Sequence, residues 1–334
     1  MNEMAKPSLS ESLDRFVGGL FSGGRDGAGL PRLEAGDDAV LEPLARTASD
    51  LRGLPREEFK QALKADLQRR IAMTTAGVKP VREGFHTVTQ YLIVPDSGRM
   101  IAFLEDVFGA VEKFRVARPG GGAIMHAEVQ LADSMIELAD SSEQFPPAPA
   151  ALHVFVDDVD AVYEKAVRAG ARTLQAPVDQ EYGERGASVV DEFGTHWYIA
   201  TPLKGERIPE GLRAVTPYLA LERAKPFIEF LKAAFGAEER LVVPAPDGGV
   251  AHAKIAIGDS IIEMSDAHGA YRPMPTAIHL YVPDTDALYE QALRAGAKSV
   301  MPPADQVYGD RSAGVIDPFG NQWFIATHVR DVKF

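Results

Sequence analysis

At 334 residues, with 46% hydrophobic content and a formal charge of −13, the chain has material for two or three cored domains and too little clustered basic charge for a nucleic-acid partner. The absence of cysteine excludes a disulfide framework, a thiolate metal site and a cysteine nucleophile. The opening MNEMAKPSLSESLDRF has neither a basic leader nor an apolar run, so a soluble cytoplasmic protein without a membrane partner, acting on a small molecule, is expected.

In chain order, the first thirty residues are rich in Gly, Ser and charge and read as a loosely ordered start. Residues 37–75 carry two amphipathic helical patterns, the second with Phe59, Leu63, Leu67 and Ile71 on one stripe and Pro55 at its first turn. We assign residues 1–82 to an N-terminal helical segment. From there the sequence repeats itself: residues 126–201 overlay 252–327 without a gap, with about half the positions identical. Two modules follow, 83–202 and 211–330, joined by the Pro- and Gly-containing linker PLKGERIPEG.

The second copy reads most clearly. AVTPYLALE alternates as a strand, and AKPFIEFLKAAFG is a helix stopped by Gly236. EERLVVPA, GVAHAKIAI and SIIEMS are three strands with tight turns between them. The order then restarts: AIHLYV is a strand, DTDALYEQALRAG a capped helix, and KSVMPP, SAGVID and QWFIAT are strands. Each module is therefore strand, helix, three strands, written twice.

The motifs TPYLAL, FLKAAFGAEER, PDGG..AHAKIAIGDS, HLYVPDTDALYEQALRAGA and YGDRSAGVIDPFGNQWFIATH span the whole second module in that order. This run resembles the vicinal oxygen chelate superfamily of glyoxalases, bleomycin-resistance proteins and dioxygenases, and within it the PhnB-like branch. The resemblance implies an α+β fold of paired βαβββ units whose sheets curl around a cavity. It also implies a pseudo-dimer of the two modules within one chain, with a homodimer as a further option.

In metal-using members four cavity-facing strand positions supply His or Glu ligands. By resemblance these are Thr89, Glu137, His153 and Tyr198 in the first module, and Thr216, Glu263, His279 and Phe324 in the second. Two of four keep a ligand type in each. Strand alternation adds His126 and Glu128, which fall opposite Ala127, Val129 and Leu131, and likewise His252. His126, Glu137 and His153, and again His252, Glu263 and His279, are thus expected to line one pocket per module. There they hold a divalent metal (Zn, Fe, Ni or Mn) or bond to one another, with Glu137 and Glu263 as catalytic carboxylates. Tyr91, Phe155, Tyr198, Tyr218, Tyr281 and Phe324 are expected to wall the cavity, and Trp197 and Trp323 to pack in the core. Arg185 and Arg311, in the repeated motif YG[ED]R, either order a loop or reach an anionic ligand. Two functions follow: a metal-assisted lyase, isomerase or dioxygenase, or a non-catalytic protein that sequesters an antibiotic or other toxic molecule.

Overall fold

The computed structural model describes residues 79–203, 208–269 and 271–332. The expected N-terminal helices and loosely ordered start lie outside the described residues.

The first module begins with β1 (Val88–Val94), α1 (Ser97–Phe108), β2 (Val111–Ala117), β3 (Ile124–Leu131) and β4 (Ser134–Asp140). It repeats the order with β5 (Ala151–Phe155), α2 (Val159–Arg168), β6 (Arg172–Asp179), β7 (Glu184–Val190) and β8 (His196–Pro202). The second module restates this as β9 (Val215–Leu221), α3 (Ala224–Phe235), β10 (Glu238–Pro244), β11 (Val250–Ile257) and β12 (Ser260–Asp266). It closes with β13 (Ala277–Tyr281), α4 (Thr285–Arg294), β14 (Lys298–Asp305), β15 (Asp310–Ile316) and β16 (Gln322–His328). Local chemistry sets the helix ends. The carboxylates of Asp96, Asp158 and Asp284 accept from backbone N–H groups in the first turns of α1, α2 and α4. Gly109 and Gly236 end α1 and α3 in the left-handed region, at φ of 70° and 66°, where a side chain would be strained.

The strands form two eight-stranded sheets, and neither belongs to one module. The first sheet runs β14-β15-β16-β13-β1-β4-β3-β2 and the second β10-β11-β12-β9-β5-β8-β7-β6. Each sheet thus joins one half of each module. The joints are antiparallel: β1 pairs with β13, setting Thr89 opposite His279, and β5 pairs with β9, setting His153 opposite Thr216.

The hydrophobic cores follow a different partition. Met100, Leu104, Leu138, Leu152, Val189 and Trp197, all from the first module, share one core, with α1 and α2 packed between that module's two half-sheets. Phe227, Leu231, Ile262, Leu280, Val315 and Trp323 do the same for the second module. A module is held by its own core while its strands complete its partner's sheets. Side chains on the faces away from these cores are therefore shared between modules.

Two matching turns clamp the joints. Asp133 and Ser134 accept from the N–H groups of Ala214 and Val215, and Asp259 and Ser260 from those of Thr87 and Val88. Gly258 sits in the second turn at φ +58°, and a Cβ there would meet Thr87 Oγ1 at 2.4 Å. Gly258→Ala is therefore expected to cost about 2 kcal/mol by strain and by displacing this clamp, read as a lowered thermal midpoint.

Candidate functional site

On each strand one parity packs against helices and the other faces away. In the first sheet Leu92, Leu138, Ala127, Val129, Ile278 and Trp323 are core residues, so Tyr91, Glu137, His126, Glu128, His279 and Phe324 share the opposite face. Register then sets neighbours side by side. Tyr91 lies opposite Glu137, Glu128 opposite Glu137, and His279 opposite Phe324. The four positions carried over from the resemblance come together as Phe324, His279, Thr89 and Glu137 on β16, β13, β1 and β4. In the second sheet they come together as Tyr198, His153, Thr216 and Glu263.

The expectation that each trio lines a pocket of its own module is thereby corrected. His153 lies in the other sheet from Glu137, because β5 pairs with β9 rather than with β1. Each Glu instead takes its closest His across the joint: His279 Nδ1 donates to Glu137 Oε2 at 2.5 Å, and His153 Nδ1 to Glu263 Oε2 at 2.7 Å. Both carboxylates are 2% exposed, so the partner supplied from the other module offsets a desolvation cost of several kcal/mol. Burial works against the charged form of His279, yet the charge and hydrogen bond of Glu137 outweigh it and raise its pKa above the ordinary histidine value.

Around this pair the first sheet gathers a network. His126 Nε2 donates to Glu128 Oε1 at 3.1 Å, so its Nδ1 accepts from the Tyr91 hydroxyl at 3.2 Å. Arg82 forms an ion pair with Glu128 and lies 4.2 Å over the Phe85 ring. Burial opposes ionisation of Glu128, but His126 and Arg82 prevail and hold its carboxyl below the usual range. His126, Glu128 and Glu137 each present a ligand atom, all within 4.8 Å of one another. A nitrogen and two carboxylate oxygens suit a borderline or hard divalent cation such as Zn, Fe, Ni or Mn, so the residues present fit the metal implied by the resemblance. Thr89 and Phe324 do not complete a four-ligand set, and the β3 residues His126 and Glu128 stand beside Glu137 instead. Next to the network lies a cleft of about 260 Å³ lined by Tyr91, Ile93, Arg118, Met125, Phe145 and Phe324. Tyr91 belongs to both, and its ring centre lies 5.0 Å from that of Phe324 in the cleft wall.

The second sheet repeats the geometry with different chemistry. His252 Nε2 lies 3.6 Å and Lys254 Nζ 3.7 Å from Glu263 Oε1, and His153 Nε2 lies 3.7 Å from Glu184 Oε2. Burial opposes the Glu263 carboxylate, but His153, His252 and Lys254 together lower its pKa. A lowered folded pKa contributes stability that is present above the unfolded value and lost as pH falls through the folded one. Wild type is therefore expected to exceed Glu263→Gln in thermal midpoint at neutral pH, and the gap should close below about pH 4. A gap independent of pH would contradict this.

Arg185 and Arg311 do not reach a ligand face. They alternate with Ala187 and Ala313 onto the helix side, where Arg185 binds Asp160 and Asp179, and Arg311 binds Asp286 and Asp305. Asp310, beside Arg311 in sequence, accepts from the Tyr281 hydroxyl and from His328 Nδ1, each at 2.7 Å. Tyr281 is 2% exposed, its ring 4.4 Å from that of His279, and Phe155 lies 4.3 Å from His153, so both support a histidine. Trp197 and Trp323 are fully buried. Phe145, Tyr271 and Arg82 escaped the sequence reading because they lie on irregular segments, where no period assigns a face.

The sequence profile of the Glyoxalase/Bleomycin resistance protein/Dioxygenase superfamily matches residues 84–199 and 219–325, one match in each module. The chain belongs to this superfamily. Among solved superfamily structures, glyoxalase I from Zea mays is 16% identical, with a TM-score of 0.54 over 72% of this chain and 92% of that one, a likeness of fold. A putative dioxygenase from Bacillus subtilis is 15% identical over 73% of this chain and 85% of that one, at a TM-score of 0.49. An uncharacterized protein of Mycobacterium bovis is 38% identical over 131 residues, 36% of this chain and 86% of its own length. None of the described helices is long and apolar enough to cross a membrane.

Proposed function

We propose that the face of the first sheet bearing His126, Glu128, Glu137 and His279 is a catalytic site, and that the chain is a cytoplasmic, PhnB-like, metal-assisted enzyme acting on a small planar substrate. The observation that carries this reading is the convergence of three ligand-type side chains within 4.8 Å, with His279 donating to one of them, beside an aromatic cleft. His126, Glu128 and Glu137 would hold a divalent cation, which supplies Lewis-acid polarisation of a substrate oxygen. Tyr91, Phe145 and Phe324 stack the substrate and exclude water. Glu137 is the proton acceptor, and His279 Nδ1 orients it through Oε2. Lyase, isomerase and dioxygenase chemistry all share these roles, and the superfamily fold does not choose among them.

A second reading, sequestration of a small molecule without chemistry, is favoured by the non-ligating Thr89 and Phe324 and by the hydrogen bonds that already occupy both nitrogens of His126. Metal analysis of protein purified without a histidine tag separates the two. The enzyme reading expects about one equivalent of divalent metal per chain, lost on dialysis against chelator. Protein that carries no metal and takes none up from micromolar Zn, Fe, Ni or Mn would favour sequestration.

A further inference from the structure

The two faces are built on one repeat, so position-by-position differences between them report what each has become. At the constant offset of 126, Glu128 is replaced by Lys254, Phe145 by Tyr271, Phe324 by Tyr198 and Gln322 by His196. Three of the four changes place a new hydrogen-bond donor on the second face, one of them also removing a negative charge, and the fourth exchanges an amide for an imidazole. The aromatic wall itself is kept.

Lys254 is the decisive change. Its ammonium lies 3.7 Å from Glu263 Oε1, where the first sheet has a second carboxylate beside Glu137. A fixed cation there repels a metal ion and competes for the same oxygen. In keeping with this, the only group of three metal-type ligands among the described residues is that of the first sheet. The Lys254 side chain is 26% exposed, so its remaining protons are open to a ligand.

On the same face, with Lys254 opposite Glu263 and Glu263 opposite Tyr218, three tyrosines form a continuous wall. Tyr198 lies 4.9 Å from Tyr218 and 5.5 Å from Tyr271 between ring centres, and all three are half-buried. Burial raises the Tyr198 hydroxyl and pushes that of Tyr218 up to about 12, so both remain donors at neutral pH. His196, its ring 6.3 Å from Tyr271, has a buried Nδ1 that finds no hydrogen-bond partner among the described residues. Tilted aromatic rings, at interplanar angles of 54° and 48°, together with phenolic donors and an ammonium are the complement of a flat ring carrying an anionic oxygen.

We infer that the open face of the second sheet is a separate, metal-independent binding site for a planar aromatic acid, with Lys254 pairing to its carboxylate and Tyr198, Tyr218 and Tyr271 packing against its ring by faces and edges.

The test is isothermal titration calorimetry of the full chain in excess EDTA with 4-hydroxybenzoate as probe, and with 4-methylphenol as the neutral analogue. Saturable binding of one 4-hydroxybenzoate per chain is expected, at least about tenfold tighter than 4-methylphenol, the ratio a charge-assisted hydrogen bond supplies. Lys254→Met should weaken the acid by about tenfold and leave 4-methylphenol unchanged, whereas Lys254→Arg should retain the acid. Tyr198→Phe, which keeps the ring, should weaken the acid by less than Lys254→Met does. Equal affinity for the two probes, indifference of the acid to Lys254→Met, or no saturable binding of the acid at about 10 mM would each overturn the inference. Because the readout is binding in chelator, it is independent of whether the first sheet holds a metal.

Discussion

Glu137→Gln is expected to lower affinity for divalent metal by more than about a hundredfold while leaving the sheet intact. Loss of a supporting residue around a metal ligand already costs roughly 10–100-fold, and Glu137 is placed here as a ligand itself. The amide is nearly isosteric and still accepts from His279 Nδ1, so the joint between β1 and β13 should hold. The carboxylate charge is what disappears. The His279 pKa is raised because Glu137 outweighs burial, so without that charge burial prevails and the imidazole should titrate below its ordinary range. In wild type a raised histidine contributes stability that is full below about pH 6.5 and fades as pH rises through the folded value. The destabilisation caused by Glu137→Gln should therefore be greatest in mild acid and shrink toward pH 8. Metal analysis, the His279 ring resonance and thermal midpoints across pH read these three effects separately. Unchanged metal retention would end the catalytic reading of the first sheet, and an unmoved His279 titration would end the electrostatic one.

Asp317→Ala is expected to be the most destabilising single replacement considered, by about 3–5 kcal/mol, or a thermal midpoint lowered by roughly 10 °C. Its carboxylate accepts from Phe319 N, Asn321 N, Asn321 Nδ2 and Trp323 Nε1 at 2.8–2.9 Å, in a site where the carboxylate is 4% exposed and the indole fully buried. Truncation strands donors that have no water to turn to. Asp191 plays the same part toward Phe193 N, Thr195 N, the Thr195 hydroxyl and Trp197 Nε1. Its fourth donor is a hydroxyl that can rotate to another partner, where Asp317 holds a planar amide, so Asp191→Ala should cost less. Denaturant unfolding of both variants checks the order, and a larger loss at Asp191 would refute the donor argument.

These bonds also explain why DEFGTHW and DPFGNQW recur at one spacing. The Asp closes the turn into the last strand of each module and anchors the Trp on the core side of that strand. Pro318 and Glu192 occupy the same turn without altering it, since the turn is closed by Asp side chains at the preceding position; Glu192 points outward to Arg99 at 2.5 Å. The repeated motif is thus read as structural from its own residue types, because Asp, Gly and an indole suffice for a closed turn.

The sequence by itself determined the two repeats, their strand and helix order, and, within regular strands, the face on which a side chain lies. Period-2 alternation is a local property: with Ala127, Val129 and Leu131 as core residues, His126 and Glu128 are turned to the other side. The same rule applied to Ala313 and Val315 would have placed Arg311 on the helix side. What only the tertiary structure decided is which residues share a face. β1 and β5 each end a half-module with an unpaired edge of equivalent backbone donors and acceptors, and pairing within a module or across modules satisfies those groups equally. No periodicity distinguishes the two. The choice was made by packing α1 and α2 between the half-sheets of one module, which holds β1 and β5 apart and sends each to the other module. Glu137 therefore meets His279, Glu263 meets His153, and Lys254 shares a sheet face with a tyrosine wall assembled from both modules.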